Sequence, residues 1–101
     1  PTVMPCALPS AAFTYTKSGA NSPVDVTVTD TSTSSASCGI TQWRWDWGDG
    51  SSPTIDFGSA SGHTHRYVNP GPGKQNFELT LTVWNAAGSN TSGAAIIGVK
   101  P

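Results

Sequence analysis

A chain of 101 residues has room for one domain and one core, so residues 1–101 are read as a single unit. Charged residues make up only 11% and the formal net charge is -1, which gives no electrostatic reason to expect nucleic acid or an anionic membrane as a partner. No apolar run approaches the roughly 20 residues that span a bilayer, so membrane insertion of this domain is not expected.

The chain opens Pro1-Thr2-Val3-Met4-Pro5, without the basic and apolar regions of a signal peptide, and reads as a module of a longer exported protein. From there the pattern is period-2 alternation of β-branched and aromatic residues between Gly, Pro, Asn, Asp and Ser clusters, with no helical period. Residues 11–16 form a first short strand and residues 17–23 a turn-rich gap. Val24 to Thr29 alternates cleanly, valines to one side, Asp25 and the threonines to the other. Residues 30–39 are a polar loop and residues 40–47 a tryptophan-rich strand. Residues 48–53 are a turn in which glycines are free to take positive φ. Ile55 and Phe57 suggest a short edge strand, and His63 to Val68 another. Residues 69–73 form a loop, residues 77–84 a long strand, residues 85–88 a hairpin turn and residues 89–99 the last strand. Seven short strands separated by turns describe an all-β, immunoglobulin-like sandwich of two antiparallel sheets.

Two cysteines, Cys6 and Cys38, in a Ser/Thr/Gly-rich, lysine-poor chain favour a disulfide; two buried thiols are the alternative. A bridge across this spacing is worth roughly 3–4 kcal/mol in the loop-entropy account. It would tether residues 1–9 as an N-terminal linker segment. Two cysteines are too few for a structural zinc site.

Trp43, Trp45 and Trp47 share one strand face, and Gln42, Arg44 and Asp46 the other. Arg and Asp are seldom buried unless paired, which sends the indoles inward. Leu79, Leu81 and Val83 likewise share a face, whereas Trp84 lies on the opposite one with Thr80 and Thr82. The third and sixth strands of such a sandwich are neighbours. Trp84 is therefore expected on an outer surface with Gln42, Arg44 and Thr82, stacked by Arg44 as a cation–π pair. That surface suits a glycan or a protein hot spot; lid packing over its neighbours is the alternative.

Catalytic chemistry is not expected. Serines, His65 and several aspartates are present, but no Gly-x-Ser-x-Gly elbow occurs. His63 and His65 share a face without a third metal ligand nearby. Asn90-Thr91-Ser92 is a glycosylation sequon, relevant only in a host that glycosylates exported proteins.

Taken together, several stretches resemble the PKD (polycystic kidney disease) domain family. Trp43-Arg44-Trp45-Asp46-Trp47-Gly48-Asp49-Gly50 resembles its third-strand signature, His65-Arg66-Tyr67 its His-x-Tyr, and Phe77 to Gly88 its aromatic-led strand closing on Asn-x-x-Gly. Pro9 to Phe13 is similar to its opening strand. The resemblance covers nearly the whole chain. It implies a seven-stranded sandwich with Tyr67 and the tryptophan row in the core. It also implies a non-catalytic module of secreted or cell-surface proteins that spaces, adheres, or contacts protein or glycan. Partners would then be neighbouring domains of the parent chain and a protein or polysaccharide ligand. A second reading is a carbohydrate- or matrix-polymer-binding accessory domain of a secreted hydrolase. Trp84 departs from the family, which usually places a small polar residue there. Some bacterial members bind calcium through Asp-x-Asp-Gly before the third strand. This chain has Ser37-Cys38-Gly39-Ile40, which lacks that ligand charge, so no metal or cofactor is expected and the disulfide is read as taking over the tether.

Overall fold

In a computed structural model, which describes residues 6–34, 38–60 and 62–101, the chain is all-β, with two antiparallel sheets. Residues 1–5 of the expected linker and residues 35–37 of the polar loop lie outside the described residues. The strands are β1 (Phe13–Lys17), β2 (Val24–Asp30), β3 (Gln42–Asp46), β4 (Thr54–Phe57), β5 (His63–Tyr67), β6 (Gln75–Asn85), β7 (Gly88–Thr91) and β8 (Ala95–Val99). One sheet has the order β1-β2-β5; the other runs β4-β3-β6-β7, with β8 also on β6.

The alternation of each strand decides which side it buries. Val24, Val26 and Val28 are fully buried, and Tyr67, His65 and His63 stand opposite them on β5, so these rings also point inward. From the facing sheet come Trp43, Trp45 and Trp47, with Leu81 and Val83 opposite the first two on β6. Leu79, Ile97 and Val99 complete the core toward the other end. The tryptophan row is therefore the middle of the sandwich, not a platform on its surface.

Each indole N–H in that row has a different fate. Trp43 Nε1 donates to Asp30 Oδ2 at 3.1 Å, across the sheets, and Trp47 Nε1 donates to Thr54 Oγ1 at 3.0 Å. Trp45 Nε1 is buried with no hydrogen-bond partner among the described residues. Truncating Trp45 to alanine should cost about 3–5 kcal/mol. Trp45→Phe keeps most of the ring packing and removes an unsatisfied donor, so its cost should stay below about 2 kcal/mol. Urea unfolding of both variants, followed by circular dichroism, checks this; equal losses would show that ring volume, not truncation, dominates.

The expected last strand, residues 89–99, is in fact two. Thr91 faces Thr82 and Ala95 faces Leu79, so residues 92–94 oppose only residues 80–81. One extra residue makes a bulge, which breaks the ladder and swaps the faces of the strand. Ser92 bridges the break: its N–H donates to Leu81 O at 2.8 Å, and its Oγ accepts the Leu81 N–H at 3.0 Å.

Each end of the sandwich is tied by a buried asparagine. At the C-terminal end of β6, Asn85 Nδ2 donates to Ala7 O at 2.8 Å, and the disulfide joins Cys6 to Cys38 with Cα atoms 5.7 Å apart. At the other end, Asn69 Nδ2 donates to Gly73 O and Val99 O, both at 2.8 Å. There Lys100 also exchanges backbone bonds with Ala20 and Ser22 at 2.8 and 2.7 Å.

Candidate functional site

The outer face of the β4-β3-β6-β7 sheet gathers most of the residues expected at the surface. Register places Phe57, Gln42, Trp84 and Ser89 in one row across four strands, and Ile55, Arg44, Thr82 and Thr91 in the next. Trp84 is half-buried. The Arg44 guanidinium carbon lies 5.4 Å from the Trp84 ring centroid, while Arg44 Nε donates to Asp46 Oδ2 at 3.1 Å. The ion pair neutralises its own charge, so the two rows around Trp84 offer aromatic surface and hydrogen-bonding groups without net charge.

Thr82 departs from expectation. It is 4% exposed, not a surface residue. It sits in the second row on the central strand, between Arg44 on β3 and Thr91 on β7, and its hydroxyl shares a 2.8 Å hydrogen bond with that of Thr91. Phe57 and Ile55, absent from the expected surface, are 73% and 43% exposed and extend it to the edge strand. Their alternation on β4 is the reverse of the usual one. Thr54 and Asp56 turn inward because the interior holds polar groups that need them: Trp47 Nε1 bonds Thr54, and His63 Nε2 lies 2.7 Å from Asp56 Oδ2. Both partners lie outside β4, on β5 and just past the end of β3, so the strand's own four residues carry no signal for this inversion.

The edge between β4 and β5 is closed by two histidine–carboxylate pairs. His65 Nε2 lies 2.7 Å from Asp49 Oδ2, and its ring stacks on Trp47 with centroids 4.5 Å apart. Ser51 Oγ completes a Ser/His/Asp group, but the arrangement cannot run as a nucleophilic triad. The same ring nitrogen faces both Asp49 and, at 3.4 Å, Ser51, whereas a relay needs one nitrogen for each. The serine hydroxyl meanwhile bonds the Asp49 carboxylate directly. Among the described residues, no group of three or more His, Cys, Asp or Glu side chains could hold a metal. Next to this cluster, Tyr67 donates its hydroxyl to Trp47 O at 2.7 Å, and burial, with the nearby Asp49 charge, holds its phenol above the ordinary range.

Burial raises the Asp49 carboxyl, but hydrogen bonds from His65 and Ser51 outweigh that and leave it below its ordinary value of 3.8. A carboxylate lowered on folding adds stability above its unfolded value and loses it as pH falls through the folded one. The protein should thus lose stability below about pH 4, and Asp49→Asn should flatten that acid limb while lowering stability at pH 7. Thermal melts from pH 2 to 7 test this; parallel acid limbs in both proteins would exclude Asp49 as the group responsible.

The sequence profile of the family described as PKD domain matches residues 6–99. Among solved structures, the PKD1 domain of the Vibrio cholerae metalloprotease PrtV is similar, at 25% identity and a TM-score of 0.71, covering 94% of this chain and 100% of that one. No curated protein matches.

Proposed function

The chain belongs to the PKD domain family, and on that premise we propose that it is a non-catalytic spacer and interaction module of a larger exported protein. The observation that carries this reading is the position of its two ends. Cys6 and Lys100 lie at opposite ends of β6, whose 11 residues span about 36 Å at strand rise. Both ends are held: one by the disulfide and Asn85, the other by Asn69 and the Lys100 backbone bonds. Domains attached at the two ends would be kept apart by a stiff sandwich instead of a coil. The disulfide supports an oxidising, extracellular setting, secreted or at the cell surface. The similarity to the PKD1 domain of a metalloprotease supports attachment to other domains. Two copies in direct succession should scatter X-rays as an extended pair close to twice the length of one. A pair no longer than a single copy would sink the spacer reading.

A second reading rests on the row Phe57–Gln42–Trp84. Its two rings lie two strand spacings apart, about 9.6 Å, with a hydrogen-bonding amide between them. An uncharged, extended polysaccharide or a matrix polymer suits that spacing better than a charged ligand. Retention on insoluble polysaccharides or collagen that is lost in both Trp84→Ala and Phe57→Ala would support it; wild-type protein that washes through would remove it.

A further inference from the structure

We propose that the open side of the sandwich, between β1 and the bulge, binds an extended peptide. The peptide adds to β1 as a strand, with an acidic side chain opposite Lys17 and an apolar side chain two residues later. This concerns a different part of the molecule from the two ends and the outer face, and stands or falls separately from them.

Thr31 N–H donates to Ala12 O and Ser18 N–H donates to Asp25 O, both at 2.9 Å, so the even-numbered residues of the β1 segment turn their main-chain groups toward β2. In an antiparallel pair the intervening residues then turn theirs away. Phe13 and Tyr15 therefore present N–H and C=O groups at a sheet edge that no other strand pairs with among the described residues. Ala11 shows the same orientation, since its N–H leaves the sheet to donate to Asn90 Oδ1 at 2.8 Å.

Facing this edge is the bulge, where the opposite sheet also lacks a regular ladder. Between the two walls lies a cavity of about 290 Å³, with Ala11, Ala12, Phe13 and Tyr15 on one side and residues 92–95 on the other. Small-molecule sites start near about 300 Å³, so this space suits one apolar side chain better than a whole ligand. The short side chains of the alanines leave it open, and two of its lining residues, Phe13 and Ala95, are partly buried and pack against the core.

Two contacts between the walls mark the extent of the slot along β1. One is the Ala11–Asn90 bond. The other is Lys17, whose Nζ donates to Gly98 O at 2.8 Å. The Lys74 ammonium also approaches Gly98, lying 3.1 Å from where a Cβ would stand there. Among the described residues no carboxylate pairs with Lys17, Lys74 or Lys100. Each ammonium has three donors, and Lys17 has spent one on a carbonyl. Positive charge without a partner at one end of a strand-wide slot selects an acidic side chain in the occupant.

Direction follows from the same contacts. Ala11 lies beside Asn90 and Lys17 beside Gly98, so both walls run the same way. A strand running oppositely is antiparallel to β1 and passes Lys17 first. Its acidic residue then precedes the apolar one by two positions, on the same face. Lysine and a bulge also occur where an edge is merely protected from pairing, and the test separates the two roles.

The probe is the hexapeptide acetyl-Asp-Thr-Val-Thr-Ala-Thr-amide, titrated into ¹⁵N-labelled protein to millimolar concentration. Saturable shifts are expected at the amides of Phe13, Tyr15, Ala94 and Ala95. The same peptide with N-methyl groups on the nitrogens that face β1 should produce none. Asn in place of Asp should weaken binding about two- to fivefold at low salt, and Lys17→Gln should produce the same loss without adding to it. Ala94→Leu should fill the slot and abolish the shifts while leaving the melting temperature in place. No saturable shift, equal shifts from the N-methylated peptide, or shifts confined to residues around Trp84 would each overturn the proposal.

Discussion

Replacing Gly48 with alanine should produce the largest loss of stability of any single methyl group added to this domain. Gly48 sits at φ 81°, where an L-residue is strained by about 1–2 kcal/mol. It also lies where the chain leaving β3 crosses β6. A Cβ there would stand 2.7 Å from the Glu78 carbonyl carbon and 2.8 Å from its nitrogen, with the carbonyl oxygen closer still. These are backbone atoms, so no rotamer change relieves the clash, and the chain leaving β3 must move away from β6 just past the end of their ladder. Overpacking adds roughly 1–3 kcal/mol, giving about 2–5 kcal/mol against a total of about 5–15 kcal/mol for a domain of this size. The melting temperature should fall by roughly 10–30 °C. Gly50 supplies the control: its φ is 86°, but among the described residues nothing lies within 4 Å of a Cβ placed there. Gly50→Ala should therefore cost only the backbone strain. Melting of the two variants within a few degrees of each other would show that the Glu78 contact is not what requires glycine at position 48.

Removing the disulfide by the paired change Cys6→Ser and Cys38→Ser is expected to cost about 3–4 kcal/mol, since the bridge closes a loop of sequence separation 32. That loop contains β1 and β2, so the unfolded chain gains freedom over a third of its length. The N-terminal segment keeps the Asn85–Ala7 hydrogen bond after the bridge is gone, and the Leu8 side chain still lies against Gly88. Asn85→Ala on its own should cost about 1–3 kcal/mol through the backbone groups it leaves unpaired. The two changes act on one segment and should not add; a double-mutant cycle in thermal melts measures the coupling. Added calcium should leave the melting temperature of every variant unchanged. A calcium-induced rise would mean that a cation, and not the bridge, secures this end.

Much of the fold was legible because alternation and the core agree on most strands. Val24, Val26 and Val28 could be assigned inward from β2 alone, and the charges interleaved with Trp43, Trp45 and Trp47 assigned those rings inward as well. The position of Trp84 on the outer face followed from the same count on β6. The candidate surface was less legible. Thr82 has the same parity as Trp84, but parity says which face a side chain takes and not what covers it. On the central strand, Arg44 and Thr91 flank it on either side. On β4 the apolar residues point outward because His63 and Trp47 need Asp56 and Thr54 inside. No local rule on a four-residue strand reveals that demand, since the partners lie on other strands.

From the chain alone, then, come the β class, the two-layer architecture, the inward indole row and the turn glycines. Each rests on a period of two or on backbone freedom, which are properties of neighbouring residues. Assembly in three dimensions decided the rest: the bulge at residues 92–94 that divides the last strand, the inverted faces of β4, the two anchoring asparagines and the slot beside β1. Those features depend on partners on other elements, from 7 to 79 positions apart in sequence. Hydrogen-bond satisfaction and steric fit between such partners exist only once the sheets have met.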